Sequence, residues 1–360
     1  MSQLFEPLTL RELTIPNRVW MAPMCQYSAA SEGPDTGAPH DWHFQHLASR
    51  AVGGAGLLLT EATAVSPEGR ISARDLGLWN ERQQQAFTRI TAFLESAGAV
   101  PGIQLAHAGR KASVNIPWQD GGSAVPAERG GWPTVAPSPL AFGGNPAPAE
   151  LTAEGIAGVV RQFADAARRA LAAGFKVVEI HGAHGYLLHE FLSPYSNTRT
   201  DSYGGSPANR MRFALEVVDA VRSVWPDHLP VFFRTSATDW LPDSEEGWTG
   251  ADTVRLAKEL QAHGVDLLDV SSGGNVPDAT IPWAPGYQVP YAAAVREQTA
   301  LPTAAVGLIT DPHQAEAILA EQQADAVLLG RELLRDPYWP QRAARALGHD
   351  LPRTPQYARA

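Results

Sequence analysis

The sequence has one cysteine, no excess of basic charge and no long apolar run, and each shortage excludes a class of protein. The single thiol, Cys25, rules out an intrachain disulfide and an iron–sulfur cluster held by four cysteines of this chain. A formal net charge of −10 argues against a nucleic-acid partner, which needs a basic patch. No apolar stretch approaches the roughly 18 residues of a membrane span. The N-terminus shows no secretion signal, so we expect a cytoplasmic protein without a membrane partner.

Eight short apolar runs recur along the chain, and helical patterns separate most of them. Runs of low polarity suit strands that are buried on both faces of a parallel sheet. The alternation predicts an α/β fold of the (β/α)8 TIM-barrel type, as one domain over residues 1–360. A doubly wound sheet is the alternative, but no Gly-x-Gly-x-x-Gly follows the first strand. The predicted strands cover residues 18–24, 56–61, 100–105, 175–180, 231–235, 265–270, 303–307 and 326–330.

Local signals predict helix ends, one hairpin and two irregular segments. Thr152 is an expected N-cap and Gly174 the matching C-terminal glycine, and Asn80 with Gln83 has the spacing of a capping box. Residues 8–15 read as a hairpin that plugs the N-terminal end of the barrel. Residues 113–150, rich in Gly and Pro, interrupt the pattern after strand three and are expected to form a functional lid. Residues 272–292 are expected to form a second irregular loop.

The fourth run ends in the stretch from which the functional prediction starts, His181-x-x-His184-Gly185-Tyr186. Two imidazole N–H groups can polarise one carbonyl oxygen, and a phenol beside them can protonate a carbon. No side chain here supplies a hydride, so such chemistry needs a cofactor. A His-x-x-His pair alone also fits structural histidines or a zinc site, and His189 would offer that site a third ligand.

The ends of the other strands bring further candidates to the same end of the barrel. Gly307, Gly330 and Arg331 follow strands seven and eight, where barrels often bind phosphate. Simple turns and a surface ion pair are the alternatives for these residues. Gln104 and Arg234 lie near the ends of strands three and five. Both suit the pyrimidine edge of a flavin, although Arg234 could instead pair with Asp239 or Asp269.

Two candidates follow the first strand. Cys25 is a lone thiol, for which a small buried hydrophobe is the default interpretation. Beside a flavin it would instead tune the reduction potential or contact a substrate. Tyr27 is either a ligand-binding phenol or an aromatic residue of the core or rim.

Six motifs occur in an order that matches one family, and together they are specific. The sequence resembles the old yellow enzymes, in particular their bacterial thermophilic-like NADPH dehydrogenases and xenobiotic reductases, over essentially its whole length. The motifs are Ala22-Pro23-Met24-Cys25-x-Tyr27, Gln104-Leu105-x-His107-Ala108-Gly109-Arg110-Lys111, His181-x-x-His184-Gly185-Tyr186-Leu187, Asn197-x-Arg199-x-Asp201-x-Tyr203-Gly204-Gly205, Pro285-Gly286-Tyr287-Gln288-Val289, and Gly330-Arg331-Glu332-Leu333-Leu334-Arg335-Asp336-Pro337.

The resemblance implies a non-covalent FMN that NADPH reduces, followed by reduction of an α,β-unsaturated carbonyl or nitro compound in a ping-pong cycle. His181 and His184 would hold the substrate oxygen, hydride would pass from flavin N5, and Tyr186 would donate the proton. Cys25 and Tyr27 would lie at the same site. The flavin ring would meet Ala22, Pro23, Met24, Cys25, Ala62, Gln104 and Arg234, and its phosphate would meet Gly307, Gly330 and Arg331.

The subclass also has a C-terminal arginine that enters the site of a neighbouring subunit, and Arg359 fits that place. The resemblance therefore implies a homodimer or a homotetramer. Two other functions stay open at this point. One is a metal-dependent barrel hydrolase built on His181 and His184, and the other is a barrel that binds flavin without catalysis.

Overall fold

The computed structural model describes residues 2–242, 246–357 and 359 of the chain. Within these residues, parallel strands alternate with helices and close into a barrel, which confirms the predicted fold class. The strands in chain order are β1 (Leu8–Leu10), β2 (Leu13–Ile15), β3 (Val19–Met21), β4 (Leu57–Ala64), β5 (Val100–Ala106), β6 (Val135–Ala136), β7 (Ala149–Glu150), β8 (Val177–Gly182), β9 (Val231–Ser236), β10 (Leu267–Ser271), β11 (Thr303–Ala305) and β12 (Ala326–Leu329).

The barrel runs in the order β3, β4, β5, β8, β9, β10, β11 and β12, and β12 pairs with β3 to close it. Each predicted apolar run overlaps one of these barrel strands. The helices of the described residues are α1 (Asp41–Val52), α2 (Glu81–Ser96), α3 (Ala153–Ala172), α4 (Leu187–Leu192), α5 (Pro207–Arg222), α6 (Gly250–Ala262), α7 (Val289–Gln298), α8 (Pro312–Ala320), α9 (Arg331–Arg335) and α10 (Trp339–Ala346).

Helix ends follow the local signals of the sequence. The Thr152 side chain accepts the N–H of Gly155 at the start of α3, and Gly174 follows that helix with φ +97°. Asn80 and Gln83 form the predicted capping box at α2. The predicted loop 272–292 is wrong at its end, because α7 begins at Val289. Pro290 belongs to the first helical turn, where a missing N–H is harmless.

The interior of the barrel is filled near its N-terminal end and polar near the other end. The β1–β2 hairpin contributes Ile15 to an apolar cluster inside the barrel, which confirms the predicted plug. In the same cluster the rings of Trp20 and Phe232 stack with centroids 5.8 Å apart. A larger apolar layer lies between the strands and the surrounding helices. Because apolar side chains fill the lower barrel, the polar side chains of the strands collect at the C-terminal mouth.

The segment 113–150 leaves the barrel after β5 and packs beside the mouth. Its strands β6 and β7 pair with each other, and the indole N–H of Trp132 donates to the carbonyl of Glu68 at 2.9 Å. The ring of Trp118 meets the ring of Tyr27 edge-on, with centroids 5.8 Å apart, yet Trp118 is 69% exposed. The segment therefore contacts one rim of the mouth, where a lid would lie.

Candidate active site

The loop that follows β8 brings the two predicted histidines and the phenol together. The ring of His181 lies edge-on to His184 and to Tyr186, with both centroid distances at 5.1 Å. His184 has φ +60°, a left-handed conformation that is uncommon for a residue other than glycine. Such strain persists only where neighbouring contacts impose it, and it is typical of functional sites. The structure thus confirms that the three side chains form one cluster.

A hydrogen bond fixes the tautomer of His181, and burial keeps both imidazoles neutral. The backbone N–H of Ala183 donates to His181 Nδ1 at 3.3 Å, so the proton of the neutral ring sits on Nε2. His184 Nε2 lies 2.7 Å from Ser271 Oγ. Burial, followed by the charge of Arg234, holds the pKa of each histidine well below its usual value. Both rings are therefore neutral at physiological pH, and a substrate oxygen must compete with Ser271 for His184 Nε2.

Lys111 is a site residue to which the sequence analysis assigned no role. Its ammonium donates to the carbonyls of His184 and Gly274, at 2.8 Å each, and lies 5.3 Å above the ring centroid of Tyr186. Gly185 packs against the same carbonyl group of Gly274 and has φ +71°. A Cβ at Gly185 would lie 2.2 Å from that carbonyl oxygen. The signal available in the sequence was the position of Lys111, six residues beyond Leu105 near the end of β5.

His189 does not join a metal site, which corrects the alternative of a metal-dependent hydrolase. Its Nδ1 accepts the N–H of Gly185 at 2.9 Å, and its Nε2 lies 3.1 Å from Asp239 Oδ1. Both ring nitrogens are therefore used to hold the loop. In residues 2–242, 246–357 and 359, no group of three or more His, Cys, Asp or Glu side chains is arranged to hold a metal ion.

Tyr186 also belongs to a small group of protonated side chains on the β3 side of the mouth. Cys25, Tyr27 and Tyr186 pack around the buried Ile71 and Ala108. Burial raises the pKa of all three groups, with nearby carboxylates adding to the effect, so thiol and phenols keep their protons at neutral pH. A phenol that keeps its proton in an apolar setting can act as a general acid.

Charged and amide side chains from adjacent strands form a row across the mouth. The strand register sets His181 beside Arg234 and Arg234 beside Asp269. Arg234 Nε lies 3.1 Å from Asp269 Oδ2, so the alternative ion pair is present, and Arg234 lines a cleft as well. Gln104 Nε2 donates to Glu179 Oε1 at 2.8 Å, which leaves the amide oxygen of Gln104 for another partner.

Beside this row lies a cleft that encloses about 800 Å³ of empty space, open solvent at its mouth included. Its wall combines backbone from both glycine turns with a cationic side chain, since Arg331 follows Gly330 directly. At Gly307, with φ +120°, a Cβ would lie 2.7 Å from Gln288 Nε2. Among the predicted residues, the cleft is lined by Ala22, Pro23, Met24, His184, Arg234, Gly307, Gly330 and Arg331.

The other predicted residues are not part of the lining of this cleft. Ala62 and Tyr186 border a smaller, separate cavity, and Gln104 is buried in β5 next to Glu179. Arg359 is exposed, and its contact with a second subunit stays a prediction. The sequence analysis gave no role to the other cleft residues, although Gln288 stood in a motif that it quoted. Those residues are Ser271, Trp283, Tyr287, Gln288, Val306, Leu308, Ile309, Thr310, Leu328, Glu332 and Arg335.

A parallel barrel with a cleft lined by glycine backbone and Arg331 after its last strands, and with neutral proton donors beside a row of charged and amide side chains, fits a flavin-type barrel oxidoreductase. Comparisons with known proteins agree. The model of the NADH:flavin oxidoreductase / NADH oxidase family matches residues 3–350. The chain belongs to this family, that of the old yellow enzymes, and is an FMN-dependent NADPH oxidoreductase.

Relatives that cover nearly the whole chain support this assignment. The chain is 48% identical to an NADPH dehydrogenase of Geobacillus thermodenitrificans, over 99% of this chain and 98% of that protein. It is 45% identical to an NADPH dehydrogenase of Bacillus subtilis, with the same coverage. Morphinone reductase superposes with a TM-score of 0.78 at 30% identity, over 99% of this chain and 92% of that chain.

A larger enzyme contains the same fold. The structure of 2-naphthoyl-CoA reductase superposes with a TM-score of 0.85 at 25% identity. The match covers 96% of this chain but only 52% of that one.

Among the described residues of this chain, no helix is long and apolar enough to cross a membrane.

The residues of the cleft fit FMN on chemical grounds. Arg234 is buried, and its Nε atom forms no well-directed hydrogen bond, although Asp269 Oδ2 lies 3.1 Å away. A buried guanidinium of this kind suits an electron-rich ring edge. Gly330 lines the cleft and packs closely on Met24, because a Cβ there would lie 3.0 Å from Met24 Sδ. Arg331 adds the positive charge that a phosphate needs.

Proposed function

We propose that this enzyme is an ene-reductase, which reduces the activated C=C bond of α,β-unsaturated carbonyl or nitro compounds. The observation that carries the proposal is the cluster of His181, His184 and Tyr186 at the edge of a flavin-compatible cleft. FMN, when bound, supplies the hydride. NADPH and the unsaturated acceptor use the site in turn, as a ping-pong cycle requires. The names of the relatives support the NADPH half of the cycle.

The histidines act as neutral donors to the substrate oxygen. His181 presents the N–H of Nε2, and His184 exchanges its contact with Ser271 for one with the substrate. Paired hydrogen bonds to a carbonyl or nitro oxygen withdraw electron density from the conjugated alkene, so that its β-carbon accepts hydride more readily. Lys111 holds the carbonyl of His184 and so fixes the loop during this exchange.

Tyr186 donates the proton that completes the reduction at the α-carbon. Its phenol stays protonated because burial opposes the phenolate, and Cys25, Tyr27 and Asp75 add to this effect. Cys25 and Tyr27 contact the substrate from the β3 side of the site. We expect the lid segment 113–150 to close over this side, because Trp118 already meets Tyr27.

The proposed flavin contacts divide between two groups of residues. The ring would be held by Ala22, Pro23, Met24, Cys25, Ala62, Gln104 and Arg234. The phosphate would be held by Gly307, Gly330 and Arg331.

Replacing Arg331 tests the phosphate contact. We expect Arg331→Ala to weaken FMN binding by roughly 10- to 100-fold, since one charge-assisted contact is lost. The protein should fold and bleach on dialysis faster than wild type. Arg345→Ala, a replacement on α10 outside the cleft, is the matched control and should retain the cofactor. Equal FMN retention in Arg331→Ala and wild type would refute the phosphate role.

The domain boundaries and the oligomeric state are proposals as well. We propose a single domain over residues 1–360 that forms a homodimer or homotetramer. In that assembly Arg359 would enter the active site of the neighbouring subunit. Sedimentation of the purified protein decides between these assemblies and a monomer.

One experiment tests the proposed function as a whole. The purified protein should be yellow, bleach anaerobically with NADPH, and recover its colour when 2-cyclohexenone is added. Metal analysis should find no stoichiometric zinc. Flavin reduction without reoxidation by any enone or nitroalkene would refute ene reduction. Bound flavin that NADPH does not reduce would point to a non-catalytic binding barrel.

A further inference from the structure

Glu61 is a buried acid that the mechanism above does not use, and it lies at an irregularity of β4. The pairing of β4 with β5 shifts register between Leu59 and Ala62, so the strand carries an irregularity at Glu61. Bulges of this kind re-aim a side chain and are frequent beside active sites. Glu61 is 5% exposed and faces the segment that follows β3 rather than solvent.

The carboxylate of Glu61 holds the backbone of two residues at the site. Its Oε2 accepts the N–H of Gln26 at 2.8 Å, and the backbone N–H of Tyr27 is hydrogen-bonded to it as well. Tyr27 has φ +49°, a conformation that a tyrosine adopts only when its surroundings impose it. Glu61 supplies such a constraint, because its one carboxyl group accepts consecutive N–H groups of the strained turn.

No cation compensates Glu61 among its described contacts. His43 Nε2 lies 3.6 Å from Glu61 Oε1, and both side chains are buried. The N–H of His40 donates to His43 Nδ1 at 3.1 Å, so the neutral ring of His43 carries its proton on Nε2, facing Glu61. Burial lowers the pKa of His43 to about 3 and raises that of Glu61 to about 8. The pair therefore carries no positive charge at neutral pH, and Glu61 becomes mostly ionised only above about pH 8.

The charge of Glu61 affects the pKa values of the Cys25 thiol and the Tyr27 phenol. Burial is the main cause that raises the pKa of Cys25, and the charges of Asp75 and Glu61 raise it further. Burial likewise raises the pKa of Tyr27 first, and Cys25, Asp75 and Glu61 add to the effect. Tyr186 belongs to the same small cluster as Cys25 and Tyr27. A negative charge at Glu61 opposes formation of a thiolate at Cys25, and so does Asp75, whereas the hydrogen bond from Tyr27 favours the thiolate.

We propose that Glu61 is a positioning residue of the active site, whose carboxyl group holds the backbone at Gln26–Tyr27 and whose negative charge, once the group is ionised, lies close enough to Cys25 to slow the reactions of that thiol. The inference rests on the proposed function, in which Cys25 and Tyr27 contact flavin and substrate. The role has two separable parts. Glutamine at this position keeps an oxygen that can accept an N–H but removes the charge, whereas alanine removes both.

Because the chain has a single cysteine, the effect of the Glu61 charge on the reactivity of Cys25 can be measured directly. Alkylation of the folded holoenzyme by iodoacetamide reports on Cys25 alone, and Cys25→Ser gives the background. At ~pH 9, where Glu61 is mostly ionised, we expect Glu61→Gln to be alkylated about tenfold faster than wild type, because the thiolate becomes more favourable. Glu190→Gln is the control. It neutralises another buried carboxyl, which binds the N–H of Arg110 and does not face Cys25.

Steady-state kinetics with 2-cyclohexenone measure how much the contact of Glu61 with the Gln26–Tyr27 backbone contributes to substrate binding. We expect Glu61→Ala to raise KM about tenfold or more, because Tyr27 loses its constraint, and Glu61→Gln to restore KM to within about threefold of wild type. If Glu61→Ala does not fold, the alkylation rate of Glu61→Gln still decides the charge effect. Alkylation of Glu61→Gln at the wild-type rate would overturn the proposal.

Failure of this inference differs from failure of the proposed function. A wild-type enzyme that reduces no enone, but in which Glu61→Gln accelerates alkylation, would refute ene reduction and support the charge effect. An active ene-reductase in which alkylation is equal in wild type, Glu61→Gln and Glu190→Gln would refute the role of Glu61 alone.

Discussion

Tyr186→Phe is expected to slow alkene reduction by roughly 10²- to 10⁴-fold, the usual contribution of a positioned general acid. Flavin reduction by NADPH should proceed at close to the wild-type rate, because that half-reaction needs no proton from the phenol. Phenylalanine preserves the packing of the ring against His181 and beneath Lys111. Anaerobic stopped-flow measurement of the two half-reactions separates these effects.

Tyr203→Phe provides the matched control for the Tyr186 experiment. The Tyr203 phenol bonds Glu216 at 3.1 Å, outside the cleft and outside the group around Tyr186. It should leave both half-reactions within about threefold of wild type, since only an outlying hydrogen bond is lost. Loss of both half-reactions in Tyr186→Phe would indicate misfolding of the loop. Full alkene reduction in that variant would refute the role of Tyr186 as the proton donor.

Replacement of either histidine is expected to weaken the binding of phenolic ligands, which occupy the place of the substrate oxygen and give a charge-transfer band with flavin. His181→Ala and His184→Ala should each raise Kd by roughly 10- to 100-fold, because each removes one N–H donor from a buried oxygen. FMN content should stay at the wild-type level. Titration of the charge-transfer absorbance measures Kd directly.

His313→Ala serves as the control for the histidine experiment. His313 is exposed at the start of α8 and makes no contribution to the cleft lining. Its ligand affinity should equal that of wild type. Unchanged affinity in both His181→Ala and His184→Ala would refute the paired-donor model. A larger loss in His181→Ala than in His184→Ala is expected, because His184 starts from a hydrogen bond with Ser271.

The fold was predictable because its signals are local. Burial on both faces makes each barrel strand a short apolar run, and Asn80 caps α2 through atoms three residues away. The end of the loop at α7 was mispredicted because Pro290 reads equally well as a loop residue and as part of a first helical turn. The interrupted pattern of residues 113–150 indicated an excursion, but nothing in it specified the contact between Trp118 and Tyr27.

The candidate site was predictable only as a set of residue types. Strand ends meet at one face of a barrel, so His181, Arg234 and Gly330 could be assigned to one mouth from their order alone. Their partners could not be assigned in this way. Gln104 bonds a glutamate 75 residues away, and His184 reaches a serine 87 residues away. His189 offered the same imidazole as His181 in the sequence, yet Asp239 and Gly185 use both of its nitrogens.

The sequence by itself determined the alternation of strands and helices, the family and the chemical inventory at the strand ends. These depend on periodicity and on short motifs, which the chain carries in consecutive residues. The tertiary structure decided which donors are free, which acids are buried without a cation, and that Glu61, at an irregularity of β4, holds the backbone beside Tyr27. The physical reason is that protonation and hydrogen-bond partners are set by desolvation and by atoms from distant segments, and both exist only after the barrel has closed.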